Sequence, residues 1–325
     1  MTDPQNFVAS LDEMAVISVT GPQAKEYLQG QLTIDLDRVN ETNARFGAHC
    51  DFKGKTWSVF TIVSVAGGYE LIMPKECIDK SLPELKKYGV FSKVEINDIP
   101  SHPNFIGLSG SDNIALAKNL FPELATEHLS KVENANGIAI CINLSTPKLL
   151  LMLSHSGFEH FTAVIKESSC PGLMSAAGQN DWNFAMIADG IASLSSATSN
   201  EFVPQMLNLQ LLAGIDFDKG CYMGQETVAR TKFLGRNKRA TYLLSGNTNS
   251  QFPFIANGAA LEKQVGENWR SGGTLLQAAT CSANTDNVLA LAVLSNDTDL
   301  GSVLRLKEHP EQSFTVEALP YTLDE

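Results

Sequence analysis

The sequence predicts an α+β protein of two or three domains whose last part is all-β. Three observations carry this. The 325 residues exceed what one ordinary hydrophobic core accommodates. Strand–turn–helix patterns recur before residue 170, which suggests α+β layers with short connections. From residue 240 onward, short β-rich runs alternate with Gly, Asn, Asp and Ser clusters, and no useful helical periodicity remains.

The first strand–turn–helix unit spans residues 14–30. Residues 15–19 are β-rich, Thr20-Gly21-Pro22 turns the chain, and Ala24, Tyr27, Leu28 and Leu32 follow at helical spacing, with Pro22 suited to the first helical position. A looser copy runs from 105 to 121, with Ile114, Leu116, Ala117 and Leu120 on its helix. A third runs from 149 to 165, with Phe158, Phe161, Val164 and Ile165. Between the first two, residues 56–65 and 69–73 read as a hairpin around Gly67-Gly68. Asn180 or Asp181 caps a predicted helix that contains Trp182. Residues 204–213 read as an amphipathic helix ended by Gly214, followed by a short strand at 215–217. In the last part, the runs 242–244, 274–276, 288–294, 303–306 and 314–316 predict a small barrel or sandwich.

Apolar residues make up 43% of the chain and charged residues 18%, a globular composition. The aliphatic runs at 149–153 and 289–294 are far shorter than the ~20 residues of a membrane span. No basic n-region opens the chain, and the first lysine is Lys25, so a cytosolic protein is expected. The six cysteines, Cys50, Cys77, Cys141, Cys170, Cys221 and Cys281, show no metal-ligand spacing, so no metal site is expected. His155 and His160 are not at helical pair spacing. The net charge of −12 argues against broad binding to nucleic acid while permitting a local anion site.

That local site is suggested by Lys219-Gly220-Cys221-Tyr222-Met223-Gly224-Gln225-Glu226 and the arm Arg230, Lys232, Arg236, Lys238 and Arg239. Residues 219–239 carry six basic side chains against one acid, a net +5 in a chain that otherwise sums to −17. A thiol beside a lysine and ahead of a helix feels positive potential, which enriches thiolate. Cys221 is therefore a candidate functional thiol; a plain packing role in a glycine-flanked turn is the other reading. No nucleophile–base–orienter set is legible around it. The arm has three readings: binding of a carboxylate- or phosphate-rich ligand, contact with RNA, or a solvated linker. Trp182 reads either as core or as a stacking wall for a flat heterocycle.

On this motif the chain resembles the YgfZ family, folate-binding relatives of the glycine-cleavage aminomethyltransferase, or T-protein. Further matching stretches are Gly30-Gln31-Leu32-Thr33, His49-Cys50-Asp51-Phe52-Lys53-Gly54-Lys55, Lys86-Lys87-Tyr88-Gly89-Val90-Phe91-Ser92-Lys93, Val228-Ala229-Arg230, Asn237-Lys238-Arg239, Gly266-Glu267-Asn268-Trp269-Arg270 and Leu319-Pro320-Tyr321. The resemblance implies a three-domain ring of the aminomethyltransferase type around a channel for tetrahydrofolate, with a C-terminal β-barrel. The expected division is residues 1–102 with 176–239 as an interleaved folate-binding core, 103–175 as a second α+β domain and 240–325 as the barrel. It further implies a folate-binding accessory role in assembly or repair of iron–sulfur enzymes, including radical enzymes that methylthiolate tRNA, with influence on replication initiation. Cys221 is the residue expected to matter there. A tetrahydrofolate-dependent one-carbon transferase or demethylase is the alternative, and direct tRNA contact by the arm a further one. Of the two tryptophans that line the family's folate site, one matches Trp182 and the other falls at Met14, so a thioether is expected to replace an indole. T-protein relatives carry a pterin-contacting glutamate two residues before the glycine matched by Gly190. Here Ala188 holds that position and Asp189 follows it, which argues against transferase chemistry.

Overall fold

The computed structural model describes residues 6–98, 104–167, 178–235, 237–248 and 255–323. The chain begins with strands β1 (Phe7–Ser10) and β2 (Met14–Thr20), then helix α1 (Ala24–Gln29). A three-strand meander follows, β3 (Arg45–Cys50), β4 (Thr56–Val65) and β5 (Gly68–Pro74), then helix α2 (Lys75–Gly89) and strand β6 (Glu95–Asp98). These build one antiparallel sheet in the order β3-β4-β5-β2-β6. Next come β7 (Asn104–Ser109), α3 (Ser111–Ala117), β8 (Lys131–Asn134), β9 (Gly137–Ile142), β10 (Lys148–Leu153) and α4 (His155–Glu167). Their strands form a second sheet, β1-β7-β10-β9-β8, in which N-terminal β1 pairs with β7. Helices α5 (Gly178–Ala188) and α6 (Gln225–Phe233) precede a closed barrel of β11 (Arg239–Asn247), β12 (Ala260–Val265), β13 (Asn268–Cys281), β14 (Asn284–Ser295), β15 (Val303–Leu306) and β16 (Ser313–Glu317).

The strand period of two explains how these layers stack. In β2, Ala15, Ile17 and Val19 face the core beneath α1 and α2, whereas Val16 faces the second sheet. In β10, Leu149, Leu151 and Leu153 meet α3 and α4, while Leu150 and Met152 meet the first sheet. Both faces are buried, so such strands read as continuous apolar runs. Trp182 on α5 lies in the core between the two sheets.

The hairpin at 56–73 and the three strand–turn–helix units form as expected. Helix α1 begins at Ala24 with Gln23 as its cap, so Pro22 lies just outside it. Asn180 and Asp181 are inside α5 rather than capping it. Residues 204–213 do not form an α-helix. A 3₁₀ turn, Pro204–Leu207, ends at Asn208 in the left-handed region, φ 58°. The Asn208 amide then pairs with both backbone groups of Thr241, at 2.8 and 3.2 Å, which fastens this turn to the barrel instead of continuing a helix. Residues 215–217 form no strand; the Asp216 amide donates to the Thr33 carbonyl at 2.9 Å.

Candidate functional site: a walled cavity and an anchored motif loop

A cavity of about 230 Å³ opens where the first sheet, α5 and the barrel meet, and Met14 and Trp182 both line it. Met14 stands there as the first residue of β2, paired with Pro74 at the end of β5. Trp182 is only 4% exposed. One side of its indole lies on β7 at Gly107, where an added Cβ would come within 2.4 Å of Cε3. The tryptophan is thus both core and wall. Phe46 and Ile72 add apolar wall, and Gln179 and Gln277 add amides. Gln277 in β13 accepts from the Ser193 amide at 3.0 Å and donates to the Ile191 carbonyl at 3.1 Å, holding the segment after α5 against the barrel. Gln179 donates to Asn183 at 3.0 Å, but its buried Oε1 meets no partner among the described residues. An unmet buried acceptor is costly unless a ligand or water completes it.

Helix α5 is pinned at both ends. Asp181 accepts from the Ser282 amide and hydroxyl in the β13–β14 turn, at 2.7 and 2.6 Å. Asp189 pairs with Lys148 of β10 at 2.8 Å, both side chains fully buried, and also accepts from Ser145. Lys148 directs further bonds to the Thr146 carbonyl and hydroxyl. Such a pair is held by its complete set of partners. Neither Ala188 nor Asp189 lines the cavity. The tail reaches the same turn, where Tyr321 donates to the Gly190 carbonyl at 2.7 Å.

The motif loop 216–224 is built differently. Asp216 receives Arg38 and Arg45 at 2.7 Å each, and the Asp35 amide at 2.6 Å. The ammonium of Lys219 is buried and donates to the carbonyls of Gln29, Leu32 and Ile34 at 2.7–2.8 Å. Burial pulls its pKa down to about 8, opposed by Asp35 and Asp216. Tyr222 is buried beneath that ammonium, 5.0 Å from ring to Nζ, and burial pushes its phenol up. The Met223 amide donates to the Gly30 carbonyl at 3.0 Å. Gly224 caps α6 at φ 81°, and any Cβ there would meet the Asp51 carbonyl at 2.5 Å. Between these anchors Gly220 and Cys221 face solvent. The lysine expected beside the thiol therefore directs its three protons to carbonyls, and α6 begins four residues past Cys221. The sequence motif is mostly anchorage around one presented thiol.

The arm is split. Arg230 pairs with Glu226 at 2.5 Å, and Lys232 stands 3.9 Å over the Phe217 ring. Lys238 and Arg239 are exposed at the entry to β11, Gln225 is half-buried in the first turn of α6, and Arg236 lies outside the described residues. None of the described residues in 219–239 lines the cavity. Sequence reasoning matched the stretch 49–55 but missed its place beside the motif: the turn 51–54 packs there through Gly54 and Thr227 and exposes Phe52 and Lys53. It also missed the Lys148–Asp189 pair. Among the described residues no group of three or more His, Cys, Asp or Glu is placed to hold a metal ion, and no helix is long and apolar enough to cross a membrane.

Two antiparallel α+β layers with a closed barrel define the class, the aminomethyltransferase fold. The crystal structure of glycine cleavage system aminomethyltransferase T from Bartonella henselae superposes with a TM-score of 0.75, covering 99% of this chain and 87% of that one at 14% identity. Within that class, the YgfZ beta-barrel domain matches residues 237–309. The tRNA-modifying protein YgfZ of Colwellia psychrerythraea is 38% identical across 98% of this chain and 94% of its own length. That of Vibrio atlanticus is 37% identical across 99% and 94%. The chain belongs to the YgfZ family.

Proposed function

We propose that this chain is a cytosolic folate-binding accessory protein that supports tRNA modification. It holds tetrahydrofolate or a derivative in the cavity between Met14 and Trp182. Through Cys221 it aids assembly or repair of iron–sulfur enzymes, among them radical enzymes that methylthiolate tRNA, with a downstream influence on replication initiation. The observation that carries the folate part is the meeting of Met14 and Trp182 around the unmet Gln179 acceptor. An indole and a thioether suit the faces of a flat heterocycle, and an open amide oxygen suits its N–H edge. The name tRNA-modifying protein, borne by the relatives, supports the second part. A stand-alone one-carbon transferase is disfavoured because the carboxylate of Asp189 is engaged by Lys148.

Titration with tetrahydrofolate, followed by tryptophan fluorescence, tests the cavity. Trp182→Ala is expected to weaken binding about tenfold or more; unchanged affinity would move the site elsewhere. In a gene-deletion strain, Cys221→Ala is expected to fail in restoring tRNA methylthiolation and iron–sulfur enzyme activity. Full rescue removes the thiol from the proposal. Turnover of a glycine-derived methylated amine with consumption of tetrahydrofolate would restore the transferase reading.

A further inference from the structure

We infer that the surface of α6 around Cys221 binds single-stranded RNA, with Phe52 and Phe233 as stacking faces and Lys53, Lys232, Lys238 and Arg239 as phosphate contacts. Phe52 is 71% exposed and Phe233 72%, so both rings offer most of their surface to a partner. They flank α6 at its two ends. The turn bearing Phe52 lies against the first turns of α6, since a Cβ on Gly54 would stand 2.8 Å from Thr227. Phe233 closes the other end of α6 and meets Phe217 edge-on at 6.5 Å. The loop carrying Cys221 therefore runs along α6 from Phe217, at one aromatic end, to Gly224, at the other.

The dimensions and charges suit an unpaired strand. Helix α6 has nine residues, roughly 13 Å at 1.5 Å per residue. That distance covers about four stacked nucleotides at 3.4 Å each. Lys53 stands 5.5 Å from the Phe52 ring and Lys232 3.9 Å from the Phe217 ring, so a cation lies beside a ring near each end of the helix. Sequence-tolerant RNA binders combine aromatic platforms with a cationic track in this way. Arg230 is engaged by Glu226 and is left out of the count. Polyglutamate would use the lysines but has no group to stack on two exposed rings, whereas every nucleobase has one, so both observations together favour RNA. The inference does not depend on what fills the cavity.

Fluorescence anisotropy of the full chain with a labelled single-stranded RNA of about 12 nucleotides tests this. Four phosphate contacts, from Lys53, Lys232, Lys238 and Arg239, predict that affinity falls about 50-fold between roughly 50 and 200 mM salt. Phe52→Ala and Phe233→Ala should each weaken binding at least about fivefold, with circular dichroism and tetrahydrofolate titration unchanged. Phe91 is 94% exposed at the far end of α2, and Phe91→Ala should leave RNA affinity unaltered. Absence of binding at the low-salt end, indifference to both α6-surface substitutions, an equal loss on Phe91→Ala, or equal competition by duplex RNA or polyglutamate would each overturn the assignment. Because the folate titration is read on the same variants, failure of this inference and failure of the cavity reading are separable.

Discussion

The cavity takes Met14 from the first sheet, Trp182 from α5 and Gln277 from the barrel, so no short stretch of chain encodes it. The motif surface comes almost whole from one run, 216–239, with a single added turn at 51–54. The burial of the two regions inverts the expectation this creates. In the contiguous motif, Lys219, Tyr222 and Gly224 point inward and serve as anchors, and only Gly220 and Cys221 of the first five residues face solvent. In the dispersed cavity, each contributor faces a common space. A long motif here marks the effort of holding one thiol in place, whereas ligand walls leave little contiguous trace.

The largest effect should separate the anchor from the thiol it presents. Lys219→Ala leaves three carbonyls without their donor. At ~1–3 kcal/mol for each unmet group, about 4 kcal/mol of stability should be lost. Cys221→Ala is exposed and should change stability by less than about 0.5 kcal/mol. Urea unfolding of both variants measures the difference. Equal midpoints would mean that Lys219 does not anchor the loop.

The two glycines sharpen the same contrast. Gly224→Ala combines a positive φ with a 2.5 Å approach to the Asp51 carbonyl, and should destabilise by about 3 kcal/mol. At Gly220 nothing lies within 4 Å of an added Cβ. Gly220→Ala should be neutral or stabilise by up to ~1 kcal/mol through the unfolded state. A comparable loss at both positions would show that Gly220 is also sterically required.

How much of this was legible follows from where each signal lives. Apolar runs such as 149–153 announce strands because both of their faces are buried. Strand β12, with Glu262, Lys263 and Gln264, carries a helix-like composition and was missed. It is a strand because the barrel needs a partner between β13 and β15, and Glu262 meets Arg305 across it at 2.8 Å. Residues 204–213 show helical spacing of Met206, Leu209 and Ala213, yet the pairing of Asn208 with Thr241 overrides it. Cys221, Met14 and Trp182 were singled out from motif and resemblance. That Met14 and Trp182 share a cavity, and that Lys219 turns away to three carbonyls, are facts of tertiary contact that no local spacing encodes.

A smaller effect lies in the scaffold beneath the motif. His49 is fully buried in β3, with Nδ1 2.7 Å from the Ser81 hydroxyl and its ring edge on Trp57. Burial lowers its pKa to about 3. The unfolded chain takes up a proton near pH 6.5, whereas the folded chain resists it down to about 3. Its contribution to stability is therefore complete above about pH 6.5 and declines as pH falls toward 3, by about 1.4 kcal/mol per unit. Between pH 6.5 and 5 this gives roughly 2 kcal/mol. Comparing the slope of stability against pH for the wild type and His49→Gln checks it; identical slopes would assign acid sensitivity to other groups.

The smallest change should come from the cavity wall. Met14 borders open volume, so Met14→Trp enlarges a side chain into space rather than into packed neighbours. The usual overpacking penalty of ~1–3 kcal/mol should therefore be largely avoided, and stability should move by less than about 1 kcal/mol. A second indole opposite Trp182 would add an aromatic contact of about 0.5–1.5 kcal/mol to a bound heterocycle. Tetrahydrofolate affinity should then rise about two- to tenfold, while the salt dependence of RNA binding at α6 stays unchanged. A gain at the cavity without any response at the motif surface would show two independent sites. A matching shift in both titrations would instead show that the cavity and the anchored thiol loop are coupled through the core they share.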